Sequence, residues 1–327
     1  MTLQARPTRF FERRTFRYLA IAFAWVSAWA VVQAADYTDK PVEFQFKSGL
    51  DRANFAKAFK ELNDQGYRIV DIESYRSGRS TTVSTIWNKL KEGDGWQIAM
   101  SLPVAEFVDT HNKHLEAGYS LVEFEVDRNG ATLHFSGIWR LTEGGIDTEF
   151  YLGMESLDFS NRYGEMADRG YRLIDFEAYG ANGKYRHAGL WLKNDGKEVR
   201  FYRAISKNKF GELAANMEKA GFRLLDIEGY DYEGKFVFAG EWVKNEGWQE
   251  SHYAFDLLPD EFYNKNSMYL NDGYRITEFE TYEDNGVVYY AGSWLKGSPV
   301  GYKPEATVKP DEQKSSLSLE EFRSTED

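Results

Sequence analysis

Between about Val42 and Lys296 the chain repeats one pattern five times. A glycine followed by an aromatic residue recurs at Gly66-Tyr67, Gly118-Tyr119, Gly170-Tyr171, Gly221-Phe222 and Gly273-Tyr274, at steps of 52, 52, 51 and 52 residues. Trp87, Trp139, Trp191, Trp242 and Trp294 keep the same step. So do Phe55, Phe107, Phe159, Phe210 and Phe262, each eleven residues before its glycine. Three markers in one register define a repeat protein, and a period near 50 restricts the fold to a propeller, solenoid or ring of stacked units.

The third copy shows what one unit is. Phe150 to Met154 reads as a short strand, and Phe159, Tyr163 and Met166 then form a stripe at i, i+4 and i+7. That stripe predicts a helix closed by Gly170, where a positive φ is needed. Tyr171 to Tyr179 reads as an extended run, Asn182-Gly183 as a turn, and Tyr185 to Lys193 as the returning hairpin strand. The chain is therefore expected to be an α+β repeat protein of five β-α-β-β units, at about 41–93, 94–145, 146–197, 198–247 and 248–297. Glycine two residues before the tryptophan (Gly137, Gly189, Gly240, Gly292) predicts close approach of a large group, the indole or a helix, to the strand. The last copy is as regular as the middle ones, whereas open arrays carry atypical end units. A closed, propeller-like toroid is favoured over an open solenoid on that ground.

The flanks differ in kind. Residues 1–34 have a basic start (Arg6, Arg9, Arg13, Arg14, Arg17), fifteen apolar residues from Tyr18 to Val32, and small residues ending at Ala34. This is the pattern of an export signal, too short to be a spanning helix, and Arg13-Arg14-Thr15-Phe16 resembles the twin-arginine export pattern. A secreted or periplasmic chain is expected. Residues 298–327 are rich in Pro, Ser, Glu and Lys and read as a disordered tail. The chain has no cysteine and a formal net charge of −12. Disulfides, thiol catalysis and thiolate metal sites are excluded, and nucleic acid and anionic membranes are disfavoured as partners. Oligomeric state is not legible.

The phrase Gly-Tyr-Arg-Leu-Ile-Asp-Phe-Glu-Ala-Tyr at 170–179, followed by Ala188-Gly189-Leu190-Trp191, resembles the bacterial tandem repeat domain. That repeat also occurs in the non-catalytic N-terminal region of fungal polyglycine hydrolases and in some serine hydrolases of β-lactamase type. The resemblance covers the five copies and implies an exported repeat module, often attached to a hydrolase domain. It carries no catalytic residue onto this chain.

Acidic pairs are the leading candidate site. Asp71/Glu73, Glu123/Glu125, Asp175/Glu177, Asp226/Glu228 and Glu278/Glu280 lie two residues apart on the strand after each glycine. Strict alternation places each pair on one strand face with the aromatic residue after the glycine, opposite the arginines Arg68, Arg172, Arg223 and Arg275. Those arginines are expected to cover apolar surface with their stems and keep their heads wet. Ten carboxylates in two tiers suit a cationic ligand, and a divalent cation is the one cofactor allowed. The structural alternative pairs them with Lys89, Lys193, Lys244 and Lys296, or with backbone N–H groups. Tyr75, Tyr179, Tyr230 and Tyr282, two residues beyond the second carboxylate, are candidate contacts for a sugar or peptide. His111, His114 and His134 lack a zinc signature, and His114 and His187 read as core positions. Ser293-Trp294-Leu295-Lys296 spells a Ser-x-x-Lys signature, but on a strand where a helix is required. The departures from the pattern (Thr85, Ser120, Leu141, His187, Glu241, Ser293) are scattered among copies. A non-enzymatic module binding a polysaccharide, peptide or partner protein is the expected function. A hydrolase with its site where repeats converge, or an envelope scaffold, is the alternative.

Overall fold

The computed structural model describes residues 41–297, apart from 78–79, 90–94, 130–131, 142–143, 182, 194–195 and 247–248. The export signal, the tail and part of the Asn182-Gly183 turn lie outside the described residues. Five units follow one another, each a strand, a thirteen-residue helix and a hairpin. They are β1 (Phe44–Leu50), α1 (Arg52–Asp64), β2 (Tyr67–Ser77) and β3 (Ser80–Lys89); β4 (Gly95–Pro103), α2 (Val104–Glu116), β5 (Ser120–Asn129) and β6 (Thr132–Leu141); β7 (Thr148–Met154), α3 (Ser156–Asp168), β8 (Tyr171–Ala181) and β9 (Lys184–Lys193). The last two are β10 (Val199–Ser206), α4 (Lys207–Lys219), β11 (Phe222–Tyr232) and β12 (Lys235–Lys244), then β13 (Ser251–Leu257), α5 (Pro259–Asn271), β14 (Tyr274–Asp284) and β15 (Val287–Lys296).

In every unit the third strand is central, so the order is first, third, second, all antiparallel. The five sheets stay separate, each with three strands. Each helix ends at its glycine with φ between +77° and +87°, the left-handed conformation that costs glycine least. The tryptophan of the central strand is sealed in each unit, at most 1 % exposed. It folds back over its own strand. A Cβ on Gly189 or Gly240 would lie 2.6 Å from the indole of Trp191 or Trp242, so glycine is required there. The lysine two residues on (Lys193, Lys244, Lys296) donates to a carbonyl at the helix C-terminus and sits over the aromatic ring that follows the glycine. A cation there satisfies an orphan carbonyl and the negative end of the helix dipole. These lysines therefore do not pair with the acidic tiers.

One feature of the second strand departs from strict alternation. Its pairing with the central strand skips one residue in each unit: Val70, Val122, Ile174, Leu225 and Thr277. This bulge shifts the side-chain parity, so residues three apart share the helix-facing core: Leu173 with Phe176, Leu224 with Ile227. The carboxylates beyond the bulge consequently do not share a face with Tyr171 and its equivalents. They share one with the arginine.

Candidate functional site

The second strand is an edge strand in every sheet, and an edge strand leaves one row of N–H groups without a ladder partner. The carboxylates of the next unit supply acceptors for that row. Asp175 of unit three accepts from Phe124 N–H of unit two at 2.9 Å. Glu228 accepts from Ala178 N–H at 3.5 Å, and Glu280 from Gly229 N–H at 3.1 Å. Glu125 accepts from the Ser74 hydroxyl at 3.3 Å. Between units five and one, Asp71 accepts from Phe279 N–H at 3.2 Å and Glu73 from Thr281 N–H at 3.3 Å. All of these bonds run in one sense, from the backbone or hydroxyl of a unit to the carboxyl of the unit after it. Aromatic contacts follow the same geometry: Phe150 on Phe124 at 4.8 Å, Phe201 on Phe176 at 5.0 Å and Phe46 on Phe279 at 5.0 Å between ring centroids.

The inward faces of the five second strands line a shared cavity in two parts. The wider part, about 590 Å³, lies toward the hairpin ends and has Glu73, Glu125, Glu177, Glu228 and Glu280 in its lining. Tyr75, Tyr185 and Phe236 stand on its walls. The narrower part, about 140 Å³, adds Asp71, Glu123, Asp175, Asp226 and Glu278 together with Arg140 and Arg172. The structure thus gathers all ten carboxylates predicted from the sequence, in the two tiers expected. Burial pushes every one of them above the usual carboxylate range, and neighbouring carboxylates add to this for most. Glu125 and Asp226 are raised to about 7. Glutamates of adjacent units also hydrogen-bond to each other: Glu125 with Glu177, Glu228 with Glu280, and Glu280 with Glu73. Two carboxyls can do so only when one of them carries a proton.

The arginines correct the sequence reading. Arg172 and Arg275 are 2 % exposed and Arg223 is 7 % exposed, so their heads are not in water. Only Arg68 remains half-exposed, donating to the Asn63 and Tyr67 carbonyls. Arg140 was not singled out from the sequence, yet it lines the narrow cavity. The signal was present: unit two has Ser120 where the others have arginine, and Arg140 is the cross-strand partner of Ser120. The cation has moved across one strand pair. Ser120 instead donates to the Ile146 carbonyl.

The tyrosines divide. Tyr179, Tyr230 and Tyr282 are 9 %, 5 % and 3 % exposed, so little of each is open to a sugar or peptide, although Tyr230 and Tyr282 line the wider part of the cavity. Their hydroxyls accept the N–H groups of Gly153, Ala204 and Asp256. Those residues have positive φ and sit at an irregularity in the first strand. In units one and two the same service comes from Ser84 to Gly49 N–H and from Ser136 to Ser101 N–H. Serine appears there in the slot that is Ala188, Ala239 and Ala291 elsewhere. Tyr75, with no such duty, donates to Glu283 of unit five at 3.1 Å.

The remaining candidates are structural. His111 Nδ1 accepts from the Trp139 indole N–H at 3.1 Å. Among the described residues no three or more His, Asp or Glu side chains are placed so that they could hold a metal ion. Ser293 contacts Thr277 on the neighbouring strand, while Lys296 turns to the Asp272 carbonyl, so the two share no partner. No helix among the described residues is long and apolar enough to cross a membrane.

A family model described as polyglycine hydrolase-like, structural repeat, matches the chain five times, at residues 41–90, 93–140, 145–194, 197–245 and 250–297. No curated protein matches the chain.

Proposed function

We propose, on the premise that the chain belongs to the polyglycine hydrolase-like structural repeat family, that it is an exported, non-enzymatic recognition module. Its five units would close into a toroid. The hydrogen bonds from unit five to Asp71 and Glu73 support this, because they repeat the bonds that join units two to five in sequence. The ligand enters at the hairpin ends. One observation carries the reading: five glutamates, one from each unit, line a single cavity of about 590 Å³ that aromatic side chains border. Such a site suits the ammonium or guanidinium group of a peptide side chain, which carboxylates pair with and tyrosines flank. Among the described residues no histidine lines either part of the cavity, and the Ser-x-x-Lys residues lie outside it. That weighs against the hydrolase alternative.

Arrays of peptides and glycans, probed with the purified protein, test this. Binding to Lys- and Arg-bearing peptides is expected. It should weaken at least tenfold in a Glu73→Gln/Glu125→Gln/Glu177→Gln variant whose circular dichroism is unchanged. Capture by glycans alone, or peptide binding indifferent to those substitutions, would remove the proposal. Replacing Tyr179, Tyr230 and Tyr282 is unsuitable, because their hydroxyls hold buried backbone.

A further inference from the structure

The junctions between units raise a question that recognition does not answer. Ten carboxyl groups, two from each unit, converge on the shared cavity, and hydrogen bonds through them join consecutive units and join unit five to unit one. Three carboxyl pairs bond to each other across junctions. Such a pair is attractive with one proton between its members and repulsive with none. We infer that protons lock the units together: the carboxyl–carboxyl bonds between units hold while each pair keeps a proton, and repulsion within the shared cluster loosens the junctions as it ionises. This stands on the junction geometry and holds whether or not the cavity takes a peptide.

The charges that face the cluster decide its sign. From the second strands come the acidic tiers themselves, with Asp127 beside Glu125 and Arg172 beside the narrow cavity. The central strands add Arg140 of β6 and Glu241 of β12, whose carboxyl, also raised by burial, faces Arg172 and Asp226. The hairpin ends contribute Lys184, Asp231, Glu283 and the hydroxyls of Tyr75, Tyr185, Tyr230 and Tyr282. Acids outnumber cations throughout, so ionising the tiers adds repulsion. All ten groups titrate higher in the folded chain than in the unfolded one, so their contribution is complete below an unfolded value of about 4. It is lost as pH rises through the folded-state values, about 7 for Glu125 and Asp226, with the other eight also raised well above the usual carboxylate range. Three histidines work the other way, His114 among them through burial. His111 and His187 are lowered to about 4, chiefly by burial, so their contribution is lost as pH falls from about 6.5 toward 4. Above pH 6.5 they are constant and the carboxyls act alone.

Thermal unfolding of the full chain from pH 6.5 to 9 tests the lock, with infrared spectroscopy of the protonated carboxyl C=O stretch at pH 7. The melting temperature should fall on the order of 10 °C across this range, and a protonated band should persist at pH 7. A variant with Gln at Glu73, Glu125, Glu177, Glu228 and Glu280 keeps hydrogen-bonding capacity without the charge. It should melt higher than the parent at pH 9 and show a flatter profile. Should that variant not fold, Glu125→Gln alone must reduce the slope. A parent profile that is level or rises over this range, no protonated band at pH 7, or a Gln variant as pH-sensitive as the parent overturns the inference.

Discussion

At the scale of single residues, the repeat fixes which groups must be satisfied and leaves open which side chain does it. Every unit buries an indole in the same place, but the partner of its N–H changes. Thr85 accepts from Trp87 at 2.7 Å, His111 from Trp139 at 3.1 Å, and Asn266 from Trp294 at 2.9 Å. His111 and Asn266 occupy equivalent helix positions, each 28 residues before its tryptophan. Burial first, and then the neighbouring His114, hold His111 at about 4, so it is a neutral acceptor near pH 7. This explains one histidine of the set that suggested zinc. Substituting His111→Leu strands a buried donor, which costs about 1–3 kcal/mol. His111→Asn should restore the bond seen in unit five and stay within about 1 kcal/mol of the parent. Urea unfolding compares the two, and equal loss in both variants would refute the assignment.

At the scale of elements, the sequence showed the helices, strands and hairpins because their signals are local: the stripe of Phe159, Tyr163 and Met166, the glycine at the helix end, and the runs of β-branched and aromatic residues. It did not show the bulge at Ile174 and its four equivalents. A bulge is set by pairing with another strand, and Ile174 is no different in kind from Leu173. One skipped pair was enough to misplace the arginines relative to the carboxylates and so to make them surface groups. The burial of Tyr179, Tyr230 and Tyr282 was hidden likewise, because the N–H each one accepts lies 26 residues away on another strand. The gathering of ten carboxylates was legible, since periodicity alone places equivalent residues in equivalent surroundings. The Ser120–Arg140 pair was also readable, as a charge exchanged across two paired strands. If Arg140 does for unit two what Arg172 does for unit three, Arg140→Leu should cost about 3 kcal/mol, the scale of removing one member of a buried ionic arrangement. Ser120→Arg/Arg140→Leu, which rebuilds the Arg–Leu pair of unit three, should recover at least half of that. Chemical denaturation of the two variants provides the measure, and a double variant no better than the single would sink the equivalence.

At the scale of the whole molecule, what separates a ring from an open array is whether the first and last units meet in solution as they do in the structure. The contact is built like the others. Phe46 packs on Phe279 as Phe201 packs on Phe176, and Asp71 receives Phe279 N–H as Asp175 receives Phe124 N–H. Both N–H groups are buried, so removing either acceptor leaves a donor with the same lack. In a ring, Asp71→Ala and Asp175→Ala should therefore destabilise alike, by about 1–3 kcal/mol each, and unfolding should remain one cooperative transition. In an open array the two sites differ in kind. Asp175 lies between two units held adjacent by the chain, whereas Asp71 lies on a terminal unit whose inner edge has no neighbour. Asp71→Ala would then be close to neutral while Asp175→Ala keeps its full cost, and units at the ends would unfold before the middle. Melting both variants beside the parent at one fixed pH separates the two. Equal losses support closure, and a silent Asp71 substitution overturns it.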